Sequence, residues 1–326
     1  LIRFIVSRLA QLPVILLVIY VVTLTLAWQI PGNPLDNSEG RRANEAITQA
    51  QLRQYNLDSG WSFATGYLRG LTRGDMGASL QYRDQTVSGI IATSLPVSAA
   101  LGALALMFAL LIGVGTGIIG ALWPRSPLDW GSLAVSLIGV SLPTFVTGVI
   151  LLVVFVGVLE WAPLGGWEWP WSEVIDPDMS LPARVLNVLH HMLLPALTLS
   201  LGPAAYIARL TRLGLADVLA SDFVRTARAK GVSPAKVIYK HALKVAFLPV
   251  LSFLGPAAAY TLTGSFVVEQ VFNIPGMGEY FVNGVRNKDL YLIVGVVLCF
   301  STILVLFNLL VDVLYAWIDP RIDVAK

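Results

Sequence analysis

The sequence predicts an all-α polytopic membrane protein with six transmembrane helices. Three observations predict it. The 326 residues are 56% hydrophobic and only 13% charged, about half the charge of an ordinary soluble domain, and mean hydropathy is +0.72. Six apolar runs approach or exceed the length needed to cross about 30 Å of hydrocarbon. None alternates polar and apolar residues as a barrel strand does, so helices are the spanning form.

The elements follow in order. The first run, 9–30, follows Arg3 and Arg8 and ends in Trp28, Gln29 and Ile30. It exceeds the apolar core of a signal peptide, about 7–15 residues, and lacks small residues at its end, so it reads as an uncleaved span. The segment 31–94 is polar, with a short helix expected over 44–58 whose apolar contacts are Ile47, Leu52 and Tyr55. The second span, 95–123, carries Gly113, Gly117 and Gly120. Small residues let helix backbones approach closely in lipid, within this chain or against a partner. The third, 133–159, is interrupted by Pro143, and the loop after it holds Trp161, Trp167, Trp169 and Trp171. These suit an aromatic belt at the interface; an aromatic ligand cage is the other reading. The fourth span, 192–208, is the shortest and contains Pro195 and Pro203; the fifth, 247–268, contains Gly255 and Pro256; the sixth is 290–317. Prolines in spans three to five predict kinked helices.

Lysine and arginine set the orientation. Six spans put both termini on one side. That side holds thirteen basic residues, eight of them between Arg209 and Lys244, against nine on the other, where fourteen of the twenty acids lie. Both termini and the basic stretch are therefore expected in the cytoplasm.

Several chemistries are absent. Cys299 is the one cysteine, so no intrachain disulfide forms. His190 and His191 are adjacent and cannot face one ligand on a helix, and no metal site is expected. There is no G-x-x-x-x-G-K-[ST], so the chain has no phosphate-binding loop of that type, and no H-E-x-x-H or G-x-S-x-G. A net charge of +2 gives no reason to expect nucleic acid. Acids are nearly missing from the spans, with Asp312 the main exception. A proton- or sodium-driven secondary carrier needs such acids, so a stand-alone carrier is the weaker alternative and any uphill transport draws its energy from elsewhere.

The stretch 223–249, FVRTARAKGVSPAKVIYKHALKVAFLP, carries Arg225, Arg228, Lys230, Lys236, Lys240 and Lys244 and no acid. Ser221 and Asp222 can start a helix, Gly231 can end it in a left-handed conformation, and Ser233–Pro234 can cap and open the next. On that second helix Val237, His241 and Lys244 are expected near one face, Ile238 and Ala242 near another. Charge alone leaves two readings, a loop on anionic lipid and a docking element.

RTARAKG, 225–231, with HAL and Leu248–Pro249 downstream, resembles the coupling loop of ABC importer permeases, in the dipeptide/oligopeptide/nickel branch. Arg225 stands where the general family pattern has Glu, and Val245 where the branch usually has Asn. The resemblance extends over nearly the whole chain: GDMGASLQYRDQTV, SLPTFVTGVILL, HHMLLPALTLSLGPAAYIARLTR, VVEQVFNIPGMGEYFVNGV and NLLVDVLYAWIDPRI all look like motifs of that branch, in order, and the N-terminus fits its B-type permease.

The resemblance implies a type I ABC importer permease fold. It divides the chain into a first segment and span (1–30), an extracytoplasmic segment (31–94), a permease domain (95–318) with the coupling loop at 214–246, and a cytoplasmic tail (319–326). It implies a non-catalytic subunit, multi-pass in a bacterial or archaeal inner membrane. The partners would be a second permease, two cytoplasmic ATPases that use ATP and Mg, and an extracytoplasmic binding protein; this chain itself would bind no cofactor. The contact with the ATPase would be made by Arg225, Thr226, Ala227, Arg228, Ala229, Lys230, Gly231, Val232 and Ser233. Peptides are the expected solute, with nickel complexes or oligosaccharides as alternatives.

Overall fold

A computed structural model describes residues 2–31, 53, 55–82, 84–172, 178–262 and 266–318. Among the described residues, four helices are long and apolar enough to span a membrane unbroken: α1 (Ile2–Trp28), α3 (Val87–Leu122), α6 (Leu181–Leu219) and α12 (Leu290–Ile318). Two further spans are bent pairs, α4 (Pro127–Ser141) with α5 (Thr144–Val158) and α8 (Pro234–Ala246) with α9 (Leu248–Leu262). Short helices join them: α2 (Gly60–Leu71), α7 (Asp222–Ala229), α10 (Phe266–Val271) and α11 (Met277–Arg286). The described residues form no sheet, only an isolated bridge between Ala78 and Thr86. The helix expected over 44–58 falls mostly outside the described residues.

Local chemistry sets the starts. Thr86 caps α3 by accepting from the Gly89 amide, and Ser59 caps α2 by accepting from the Ser62 amide. Each satisfies one of the free amides that every helix begins with.

The prolines act in different ways. The third span does not merely kink: α4 and α5 meet at 109°. Pro143 is the N-cap of α5, and the residue before a proline is driven out of helical geometry, so the run divides there. By contrast, α6 runs unbroken through Pro195 and Pro203, and α9 through Pro256. In the fifth span the bend lies at Phe247, where α8 and α9 meet at 56°. The fourth span, shortest by hydropathy, is the longest helix, at 39 residues. Arg209 and Arg212 end its apolar run but not its helix, because arginine is a good helix former.

α3 and α6 form the central pair. A Cβ on Gly113 would stand 2.7 Å from the Ala204 carbonyl oxygen, and one on Gly117 2.7 Å from that of Ala208. The small residues therefore face a helix of this same chain. α1 packs on α12, where Arg8 and Asp312 pair at 3.5 Å. This gives the one conspicuous acid of the sixth span a partner. A second core lies where α1, α2 and α12 converge: Tyr20 stacks on Tyr67 at 5.7 Å, and Phe63 meets Tyr291 edge-on at 4.8 Å. Trp161 and Trp171 are exposed, as a belt requires, but Trp167 is buried in the core against α3, α6 and α10.

Candidate functional site

The basic stretch folds as a helix, a tight turn and a second helix. α7 ends in Lys230, followed by Gly231 at φ +77°. The Gly231 amide donates to the Arg228 carbonyl at 2.9 Å, and the Val232 amide to the Ala227 carbonyl at 3.2 Å. This is the Schellman arrangement, in which a left-handed residue lets two following amides satisfy the carbonyls left open at a helix end. Val232 and Ala227 complete it by packing on the same small core. A Cβ on Gly231 would meet nothing within 4 Å. The need for glycine there is one of backbone conformation rather than of space.

Of the nine expected contact residues, Arg225, Thr226, Arg228, Ala229, Lys230, Gly231 and Ser233 are exposed, and Ala227 and Val232 are half-buried. The Thr226 hydroxyl donates to the Asp222 carbonyl, and the Arg225 guanidinium reaches the Asp222 carboxylate at 3.4 Å. Exposed pairs of this kind contribute little. The turn thus presents three cations around a fixed backbone.

That turn is mounted on the end of α6. Val224 is fully buried against Leu215 of α6, Ala121 of α3, and Val237, Ala242 and Ala246 of α8. The sequence pattern placed Val237 and Ala242 on different faces. Residues 237–242 instead form a π-turn, whose five-residue spacing brings these two onto one buried face. Gly214 lets α6 approach α8, where a Cβ would stand 2.9 Å from the Ala246 carbonyl oxygen. One helical turn inward, Arg212 grips Asp129 through two bonds, Nε to Oδ1 at 2.6 Å and Nη2 to Oδ2 at 2.8 Å. Asp129 also accepts from the Arg125 amide at 2.9 Å. A planar fork on a carboxylate fixes angle as well as distance, so this pair locks the start of α4 to the mount. Sequence reading entered both residues only as charges; their 83-residue separation left no local pattern to find.

A second set of buried polar groups sits at the other end of the bundle. Asp289 is fully buried at the start of α12. Its Oδ2 accepts from the Ser79 hydroxyl and the Leu80 and Gln81 amides, and its Oδ1 from the Leu292 amide. The GDMGAS motif is thereby strapped to the last span. Glu269 on α10 is also fully buried. It accepts from the Ser98 hydroxyl of α3 at 2.8 Å and from the Gly278 amide at 2.8 Å, while Ser98 accepts from the Met277 amide. A Cβ on Gly276 would lie 2.5 Å or less from the carboxylate and from Ser98 Oγ, which explains a glycine there in PGMG.

Burial pushes the Glu269 carboxyl up to about 7, against the two hydrogen bonds that lower it, with Glu279 nearby adding to the rise. A raised carboxyl binds its proton more tightly folded than unfolded, so its contribution is full below about 4.5 and is lost as pH rises through about 7. Thermal melting of the purified protein is expected to fall between pH 5 and pH 8, and Glu269→Gln to flatten that slope. An identical slope in both proteins would refute the assignment.

The structure is thus a helical multi-pass protein with a short basic helix packed on the end of a spanning helix. The chain belongs to the family of inner membrane components of binding-protein-dependent transport systems, whose model matches residues 113–324. It is 37% identical to the oligopeptide transport system permease protein OppB of Haemophilus influenzae, over 98% of this chain and 99% of that one. It is 36% identical to the dipeptide transport system permease protein DppB of Bacillus subtilis, over 99% of each. Among solved structures it is similar to the MetNI methionine ABC transporter in inward-facing conformations. That match has 16% identity and a TM-score of 0.48, over 71% of this chain and 96% of that one.

Proposed function

We propose that this chain is a permease subunit of an ATP-driven importer of short peptides and forms half of the translocation path. The observation that carries the reading is the basic helix ended by Gly231 and mounted on α6. Near-full-length similarity to permeases named for oligopeptide and dipeptide transport supports the solute. In this reading both termini and residues 214–246 face the cytoplasm, residues 31–94 face outward, and 319–326 form a cytoplasmic tail. The turn from Arg225 to Ser233 sits in a groove of an ATPase. A second permease completes the path, two ATPases consume ATP with Mg, and a binding protein delivers the peptide. This chain itself hydrolyses nothing and holds no cofactor.

Coupling follows from stiffness. The turn is joined to α6 through the Val224 core, and α6 in turn to α4 through the Arg212–Asp129 fork. Movement of the ATPase groove is then passed to two spans together rather than absorbed in a loop. The test is uptake of a labelled tripeptide by proteoliposomes holding all the partners. Uptake is expected only with ATP, Mg and the binding protein. Equal uptake driven by a proton gradient without ATP would overturn the reading in favour of a secondary carrier.

A further inference from the structure

A cavity of about 370 Å³ opens where the α4–α5 junction meets α6 and α9. Its wall lies midway along three spans: Pro143 where α4 gives way to α5, Tyr206 in the apolar run of α6, and Phe253, Pro256 and Tyr260 on α9. The backbone is open here in two places. The last carbonyls of α4 have no partner within their own helix, and Pro143, which follows, has no N–H to offer them. Val140, Ser141, Leu142 and Pro143 are all exposed. On α9, Pro256 cannot donate to the Ser252 carbonyl four residues back. Ser252, Pro256 and Tyr260 form one exposed stripe of that helix.

Hydrocarbon cannot satisfy such groups, and non-helical backbone at membrane depth occurs only inside protein or along a water-filled cavity. The side chains carry the same signal. The Thr144 and Tyr260 hydroxyls stand 3.4 Å apart between α5 and α9, and the half-exposed Tyr206 ring stacks on Phe253 at 4.8 Å. Among the described residues, no charged one lines the cavity. A helix packed here by a neighbouring subunit would bring no N–H for the open carbonyls, because its own are bonded within it. A peptide in extended form brings N–H groups for the carbonyls and carbonyl oxygens for the hydroxyls. The rings and the neutral wall then accept side chains of many kinds.

Resting on the peptide reading above, we propose that this neutral, aromatic wall is where the passing peptide touches this chain. The opened carbonyls at the α4–α5 break and at Ser252 take its N–H groups, the Tyr260 hydroxyl takes a carbonyl, and Tyr206 with Phe253 meets its side chains. The experiment uses the complete transporter in proteoliposomes and a tripeptide carrying benzoylphenylalanine. It is illuminated during turnover, and adducts are mapped by mass spectrometry. Adducts are expected at Tyr206 or between Ser252 and Tyr260, and are expected to vanish when ATP is withheld and the peptide stays on its binding protein. This photolabelling needs no substitution in the chain. In parallel, Tyr260→Cys in a Cys299→Ser background is expected to be labelled by a charged methanethiosulfonate supplied on both faces of the membrane, a reagent that reacts with the thiolate. Val18→Cys, midway along α1 and 57% exposed, is expected to stay unlabelled. Active wild-type uptake with adducts confined to other segments or to the second permease would overturn the proposal. So would a Tyr260→Cys transporter labelled no faster than Val18→Cys, because lipid or the second permease would then cover this face. Absence of wild-type peptide uptake would overturn the peptide reading itself.

Discussion

Gly231→Leu is expected to leave the protein inserted while abolishing peptide uptake and the stimulation of ATP hydrolysis by loaded binding protein. The residue sits at φ +77°, and a Cβ there meets nothing within 4 Å, so the first cost of leucine is conformational rather than steric. What leucine cannot do cheaply is hold the left-handed conformation, which costs an L-residue roughly 1–2 kcal/mol. That is enough to favour another path for the chain where only two backbone bonds, from Gly231 and Val232, hold the turn. Ser233 and Pro234 would then leave α7 in a new direction, and the cations would no longer present one surface. The effect should be graded by backbone preference: Gly231→Asn mild, because asparagine tolerates this region, Gly231→Ala intermediate, Gly231→Leu severe. Wild-type coupling in the leucine variant would remove the turn from the mechanism, as would an asparagine variant as inactive as leucine.

The sequence made this turn legible because each of its determinants is local. A glycine, a serine–proline pair and a run of cations within about ten residues suffice to write a helix, a reversal and a second helix. The spans were legible for a similar reason, since hydropathy sums over neighbours. Legibility ended where a determinant was distant. Pro143 and Pro195 look alike in sequence, yet a helix ends before the exposed Pro143 and runs through the buried Pro195; the local restriction a proline imposes does not by itself say which outcome follows. Asp129 with Arg212, Asp289 with Ser79, and Glu269 with Ser98 join residues 83 to 210 positions apart. No spacing rule in a single sequence reaches that far. Glu269 and Asp289 entered the sequence reading only in the count of acids on one side of the membrane, and the structure shows both fully buried. The π-turn over 237–242 failed to show for a different reason: it changes the periodicity on which face assignments rest.

Gly117→Leu is expected to prevent stable assembly of the bundle, with loss of folded protein on extraction into detergent. Within a bilayer the lipid is as apolar as any side chain, so helices associate through close packing rather than through exclusion of water. α3 and α6 achieve that closeness at Gly113 and Gly117. At Gly117 a Cβ would stand 2.6 Å from the Thr211 Cβ and 2.7 Å from the Ala208 carbonyl oxygen. Both neighbours are fixed, one bonded directly to the Cα and the other backbone, so the helices must separate. Even Gly117→Ala is therefore expected to destabilise by about 1–3 kcal/mol, the scale of overpacking in a tight core. Gly115 is the control: it lies on the same helix, and a Cβ there meets nothing within 4 Å. Gly115→Ala is expected to be neutral or stabilising, since alanine is the better helix former by up to about 1 kcal/mol. Thermal melting in one detergent decides the matter. Equal melting temperatures for the two alanine variants would mean that α3 and α6 do not meet through this stripe. The loss should also reach the docking turn, because Arg212 and Leu215 follow Thr211 on α6 and carry the fork and the Val224 core. Gly117→Ala should therefore lower uptake in proportion to the folded fraction, whereas Gly231→Leu lowers it with the folded fraction unchanged. That contrast separates a fault in the mount from a fault in the turn it carries.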